Sequence, residues 1–240
     1  LEAYASGVNA GNPTLFSGDP WMVSDTVLLL LLQSFDQTRR SFEQDILTDR
    51  HAREGHPLRQ DFPWQNPPAA WQAWVEGRTG FPVVDASARQ LLAEGFVHNR
   101  ARMISASFLT RNLLTDWRHG AAHYLKYLTD GDWSANTAGW QWSAGCGTDA
   151  QPWFRIFNPQ LQGERFDADG AYVRRWVPEL AQVPDRYIHE PWTMTDEEQA
   201  AAGCVIGRDY PEPVVDHSVR RVQAIERYKE AGGVFEEQAR

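Results

Sequence analysis

The 240-residue chain is poor in cysteine, with only Cys146 and Cys204. Two cysteines cannot build the disulfide framework on which small secreted domains depend; they fit a reducing compartment, and a cytoplasmic location is expected. Basic charge is also short: 23 Lys and Arg stand against 32 Asp and Glu, a net charge of −9. This balance excludes a protein that coats nucleic acid with its whole surface, so any contact with DNA needs a local basic patch. Long apolar runs are missing as well. The stretch Val27–Leu32 is six residues long, against roughly 20 needed to span a bilayer. It reads as a buried helix segment, and no membrane partner is expected. Strand alternation, internal repeats and low-complexity tracts are absent, and no metal site is expected.

The length allows one sizeable domain or two small ones. A hydrophobic content of 42% with 23% charged residues is ordinary for a globular protein, but eleven tryptophans are not. Each indole fills a large hole and its N–H needs a partner. So many point either to aromatic packing between helices or to work done by the indoles themselves.

Helical periodicity dominates the chain. Residues 21–48 carry Val27, Leu30, Leu31, Phe35, Phe42 and Ile46 near helical spacing, with Asp25 as an N-cap. The prolines from Pro57 to Pro68 interrupt any helix there. A short amphipathic helix is expected over Ala69–Glu76, followed by a turn at Gly77 and Gly80. One or two long helices are expected over Asp85–Leu114, with Leu91, Leu92, Phe96, Met103, Ile104, Phe108, Leu109 and Leu113 as the apolar stripe. Further helices are expected at 119–129, around Asp169–Leu180 and at 214–231. The predicted fold class is all-α.

Residues 136–180 depart from ordinary core patterning. Trp140-Gln141-Trp142 is followed by glycines 145 and 147 with Thr148 and Asp149, then by Phe154-Arg155-Ile156-Phe157-Asn158-Pro159. Flat rings beside bare backbone suit a surface on which a planar ligand lies close to the chain. Just before it, Asp130-Gly131-Asp132 and Asn136 put two carboxylates and an amide in one short segment. Arg100 and Arg102 lie on the preceding helix, and a buried carboxylate would need such a cation.

This segment closely resembles the flavin-binding signature of the DNA photolyase/cryptochrome family. The resemblance runs from about Trp64 to Arg227. It implies a helical FAD-binding domain over residues 61–240, preceded by a diverged N-terminal part over 1–60. It also implies FAD as cofactor and light-driven repair of cyclobutane pyrimidine dimers in DNA as activity. Trp64, Trp117 and Trp140 stand in matching context (FPWQNP, LLTDWRHG, AGWQW), where the family passes an electron from the surface to the flavin. Taken singly, each could simply fill the core. The resemblance makes Asp132 the acceptor for the flavin ring edge, pairs Asp130 with Arg102, and places Asn136 near flavin N5. An amide is typical of repair enzymes at that position, where plant or animal cryptochromes carry aspartate or cysteine. Tyr4 and Ser17 fall where further cofactor contacts are expected. Asn99, Arg100, Met103 and Trp142 fall where the family touches the lesion. Asn99 and Met103 stand where (6-4) photolyases carry histidines, which favours the cyclobutane class.

The chain departs from the family toward its N-terminus. The phosphate-binding motif, Thr-Ser-x-Leu-Ser followed by a Gly-x-x-Ser helix start, has only Thr14-Leu15-Phe16-Ser17 near its place. The Trp-Arg-Glu-Phe motif is reduced to Arg39-Arg40-Ser41-Phe42, so Arg39 replaces the tryptophan that stacks on the lesion. Asp36 stands nearest to the lesion-contacting glutamate. The family's α/β antenna region is not in this sequence, and a partner protein supplying that region is expected. These losses keep a second reading open, a cryptochrome-like photosensor or flavin-binding scaffold without repair activity.

Overall fold

In the computed structural model, which describes residues 62–146 and 155–238 with side chains through 231, prolines open helices and left-handed glycines close them. Helix α1 (Pro68–Glu76) and helix α2 (Pro82–Glu94) both carry proline in the first turn, where a missing N–H costs nothing. They end at Gly77 (φ 63°) and Gly95 (φ 64°), a conformation that glycine reaches without a Cβ clash. Side-chain caps start the next three: His98 for α3 (Asn99–Ser107), Asp116 for α4 (Trp117–Tyr127) and Asp132 for α5 (Trp133–Ala144). Asn158 caps α6 (Pro159–Phe166), and α7 (Ala171–Trp176) leads into three short 3-10 turns. A capping box between Thr195 and Glu198 starts α8 (Asp196–Ala202), and α9 (His217–Gln238) is the last helix. No strand occurs among the described residues, apart from an isolated bridge between Ile206 and Tyr210. The architecture is all-α.

The expected Asp85–Leu114 region is two helices, broken at Gly95, and the first begins at Pro82 rather than Asp85. Asp85 lies in the first turn, and its carboxylate reaches back to the chain before the helix. It accepts bonds from Thr79 N (2.7 Å), Thr79 Oγ1 (2.6 Å), Gly80 N (3.1 Å) and the Tyr210 hydroxyl (2.5 Å). Burial pushes this carboxyl up to about 6, against the pull of the Thr79 and Tyr210 hydrogen bonds. Helices α5, α6 and α8 are additions to the sequence reading. The helix expected over 21–48 and the boundary expected at 60/61 lie outside the described residues.

The described residues all belong to one compact unit spanning 45–240. Its main core gathers Trp74, Phe81, Leu91, Ile104, Phe108, Leu109, Leu113, Trp117, Tyr124 and Trp140 from α1 to α5. A second cluster packs α7 and the 3-10 turns around Val173, Val177, Leu180 and Ile188. A third joins Phe62 and Leu114 to Ala224 and Tyr228 of α9. Fully burying an aliphatic or phenyl side chain is worth about 1.5–3 kcal/mol, so the first cluster dominates.

Helix α3 does not end at Ser107 but widens into one turn of π-helix, Phe108–Asn112, closed by Leu113 N to Phe108 O at 3.1 Å. The wider turn puts Arg111 and Asn112 wholly inside the protein. Arg111 lies 4.0 Å over the ring of Tyr228, and Asn112 Oδ1 accepts from His217 Nδ1 at 2.7 Å. Both of those partners are on α9.

Candidate functional site

The α3–α4–α5 corner holds a cavity of about 210 Å³. Each wall comes from a different helix. Helix α3 contributes Asn99, Arg102, Met103 and Ala106; α4 contributes Tyr124; α5 contributes Ala135, Asn136, Gly139, Trp140 and Ser143; and Leu128, Asp130 and Asp132 come from the loop between α4 and α5.

Local chemistry fixes these groups. Asp132 spends one oxygen as the cap of α5, accepting from Ala135 N at 2.8 Å. Asn136 lies one turn on, and its Nδ2 donates to Ala121 O of α4 at 2.9 Å. Its amide oxygen takes no hydrogen bond among the described residues. That orientation leaves an acceptor for the cavity, on the usual assignment of amide oxygen and nitrogen from their partners. Arg102 is held at three points. Its Nε donates to Val97 O at 2.5 Å, its Nη2 donates to both oxygens of Asp130 at 3.0 and 2.7 Å, and its guanidinium lies 5.4 Å from the centre of the Phe96 ring. The pair is open to water, with side chains 27% and 46% exposed. Asn99 and Met103 share the α3 rim, with Asn99 Nδ2 3.8 Å from Met103 Sδ.

Trp140 forms the buried wall. Tyr124 and Trp74 meet its ring nearly edge-on, with centroids 5.2 and 6.1 Å away. Trp71 stacks on Trp74 at 5.4 Å. Trp74 Nε1 donates to Ser105 O at 3.3 Å, and the Tyr124 hydroxyl meets Ser87 Oγ at 3.3 Å. His123 sits among Trp71, Trp74 and Tyr127, where burial first and Lys126 second lower its pKa to about 4. It is therefore neutral at physiological pH. Tyr124 and Trp74 escaped the sequence reading. The spacing of Trp117 to Tyr124, two helical turns, was the signal that could have found the tyrosine.

The other two relay candidates lie against the same core. Trp117 is the first residue of α4, 7% exposed, with Arg118 5.0 Å from its ring centre. Trp64 is half-buried and packs on Phe62 at 4.5 Å. Burial thus deepens from Trp64 through Trp117 to Trp140, which is 4% exposed. A backbone clamp docks the Trp64 segment beside Trp117. Gln65 N and Asn66 N donate to Leu114 O at 2.8 and 3.3 Å, and Asp116 N donates to Asn66 Oδ1 at 2.8 Å. Asn66 (φ 49°) and Leu114 (φ 51°) are the non-glycine residues in the left-handed region among those described. Both indole N–H groups, of Trp64 and of Trp117, lack a partner among the described residues.

Two predicted lesion contacts lie off the cavity wall. Arg100 points to α6, its guanidinium 4.5 Å over the exposed ring of Phe166, which Arg165 also approaches at 5.2 Å. Trp142 is half-buried and does not line the cavity. Tyr4, Ser17, Asp36 and Arg39 lie outside the described residues.

A family model described as the FAD binding domain of DNA photolyase matches residues 36–230. The deoxyribodipyrimidine photo-lyase of Alkalihalophilus pseudofirmus is 51% identical over 188 residues, covering 78% of this chain and 39% of that protein. Among solved structures, a class III photolyase from Agrobacterium tumefaciens is 40% identical with a TM-score of 0.79, covering 88% of this chain and 44% of the other. A cryptochrome from Synechocystis is 36% identical with a TM-score of 0.72, covering 88% and 43%. The chain therefore spans about two fifths of the length of the curated relative.

Proposed function

This chain belongs to the family of FAD-binding domains of DNA photolyase, and on that premise we propose that it holds FAD in the α3–α4–α5 cavity and serves light-driven repair of cyclobutane pyrimidine dimers in DNA. The observation that carries the reading is the lining of one cavity by Asn99, Arg102, Met103, Asp132, Asn136 and Trp140. A flavin ring edge needs acceptors and donors side by side. The free oxygen of Asp132, the amide oxygen of Asn136 and the anchored Arg102 supply that set. Gly139 adds bare backbone, with open space where a Cβ would stand. At about 210 Å³ the cavity is below the 300–1,000 Å³ of pockets that enclose whole ligands. It suits a ring edge and not an entire dinucleotide, so the described residues would hold the ring end of the cofactor.

Bound FAD supplies the electron that light drives onto the dimer. The protein's part is to position, to exclude water and to restore charge. Trp140 closes the cavity on its buried side, and the relay Trp64, Trp117, Trp140 carries electrons inward from the surface. Asn99 and Met103 stand on the rim where a flipped base would arrive; an already weakened base pair is the cheapest to open. Arg100 and Arg165 over Phe166 provide the local basic patch that a chain of net charge −9 needs to meet DNA.

The test is to incubate the purified chain with excess FAD, remove free cofactor, and read the flavin spectrum. Blue light is then applied with oligonucleotides carrying either a cyclobutane dimer or a (6-4) product. Bound flavin and repair of the cyclobutane lesion alone are expected. Absence of flavin under excess FAD would refute the reading. Bound, photoreducible flavin without repair would favour a photosensor, a reading supported by the likeness to the Synechocystis cryptochrome and by Arg39 standing in the sequence where the family's motif carries tryptophan.

A further inference from the structure

Gly120 lies in α4 one turn beyond Trp117, buried, with φ outside the left-handed range. Nothing in its backbone conformation calls for glycine, and glycine is among the poorest formers of a helix interior. The explanation is the space around it. A Cβ at residue 120 would overlap Cη2 and Cζ3 of Trp140 and lie 2.7 Å from Leu109 Cδ2. The far edge of the Trp140 indole therefore rests directly on the α4 backbone. The ring has little room to retreat, because Tyr124 and Trp74 stand against it and are themselves 2% and 1% exposed. The free direction is the cavity.

We propose that Gly120 is a positioning residue for Trp140. By carrying no side chain, it seats the indole on α4 beside Trp117, which lies on the same helix face three residues earlier, and keeps the ring out of the cavity. The functional consequence rests on the electron-relay reading of Trp140 given above; the seat itself does not.

The test is a cycle of Gly120→Ala, Trp140→Phe and the double variant. Phenylalanine lacks the indole's far edge, so it removes the two atoms that a Cβ would strike. Each protein is unfolded in urea, titrated with FAD, and illuminated to measure the rate of flavin photoreduction per bound flavin. Helix propensity alone predicts that Gly120→Ala gains stability. The seat predicts the opposite: lower stability, at least tenfold weaker FAD binding and at least tenfold slower photoreduction per bound flavin. In the double variant, stability and FAD binding return most of the way to the level of Trp140→Phe alone, the remainder being the Leu109 contact, while photoreduction stays slow. Should Gly120→Ala fail to fold, recovery of folding in the double variant carries the same information. A stabilised Gly120→Ala protein, or additive losses in the double variant, would overturn the proposal. If no variant and no parent protein binds FAD, the proposed function fails, while the urea cycle still decides the seat.

Discussion

Arg102 meets both carboxylate oxygens of Asp130 through a single nitrogen, Nη2, rather than through the two-pronged fork of an ideal arginine–carboxylate pair. Both side chains remain partly in water. A partly exposed pair contributes about 0–1 kcal/mol, well below the roughly 3–5 kcal/mol lost when a deeply buried pair is broken. Asp130→Asn should therefore lower unfolding stability by about 1 kcal/mol or less. Its effect on FAD should be larger, because Arg102 loses the anchor that aims it: about tenfold weaker binding, equivalent to roughly 1.4 kcal/mol. Urea unfolding and FAD titration of the same variant check both halves.

Asn136 links α5 to α4 through Nδ2 and Ala121 O. In Asn136→Asp that donor becomes a carboxylate oxygen facing a carbonyl. A loss of about 1–3 kcal/mol is expected at neutral pH. On acidification the introduced carboxyl regains a proton to donate, so the gap to the parent protein should narrow. Parallel urea curves from neutral to mildly acidic pH test this.

Asp85 makes stability depend on pH in the direction opposite to most carboxylates. Its pKa rises from 3.8 to about 6 on folding, chiefly by burial. Between those values the folded state holds the additional proton, so its contribution is greatest below about pH 4, falls as pH rises, and levels off above about pH 6. The span is worth on the order of 3 kcal/mol. Glu179 works the other way: despite burial, the Arg89 hydrogen bond holds it below the usual range. The difference between the parent and Asp85→Asn is therefore the informative curve. It should show the parent favoured most near pH 4, with its advantage shrinking toward pH 6, in urea unfolding measured across that range.

Asn66 does two jobs, accepting from Asp116 N and occupying the left-handed region. Asn66→Gly removes the bond, at about 0.5–1.5 kcal/mol, and with it the Cβ that a left-handed backbone disfavours. Asn66→Ala loses the same bond but keeps a Cβ in a left-handed conformation, which costs about 1–2 kcal/mol relative to glycine. Alanine should therefore be the more damaging of the two in urea unfolding.

The all-α class was legible because apolar residues recur at helical spacing in α1 to α4 and α9, and because Pro and Gly mark helix ends. Helix α5 was not. Its buried face is Ser134, Trp140, Ser143 and Ala144, small or polar residues that give no apolar stripe, since the helix turns that face toward a cavity instead of a greasy core. The Asp130–Arg102 pairing could be named from the family pattern, but its exposure could not, because water access depends on how the loop between α4 and α5 sits. The contact of Trp74 with Trp140 was invisible for a similar reason. Trp74 lies 66 positions earlier in the chain, and no local period relates the two.

The π turn at Phe108–Asn112 lets one continuous helical rod serve two masters. An α-helix turns about 100° per residue, so the one surplus residue of a π turn shifts everything beyond it by about that angle. Upstream, Asn99, Met103 and Ala106 face the cavity; at the far end of the turn, Arg111 and Asn112 face α9. Deleting a single residue here would restore a perfect helix and put the two faces out of phase. A shortened gene could keep every side chain of the cavity and still lose the grip on α9, which makes this one-residue surplus a point where the length of the chain, rather than its chemistry, is under constraint.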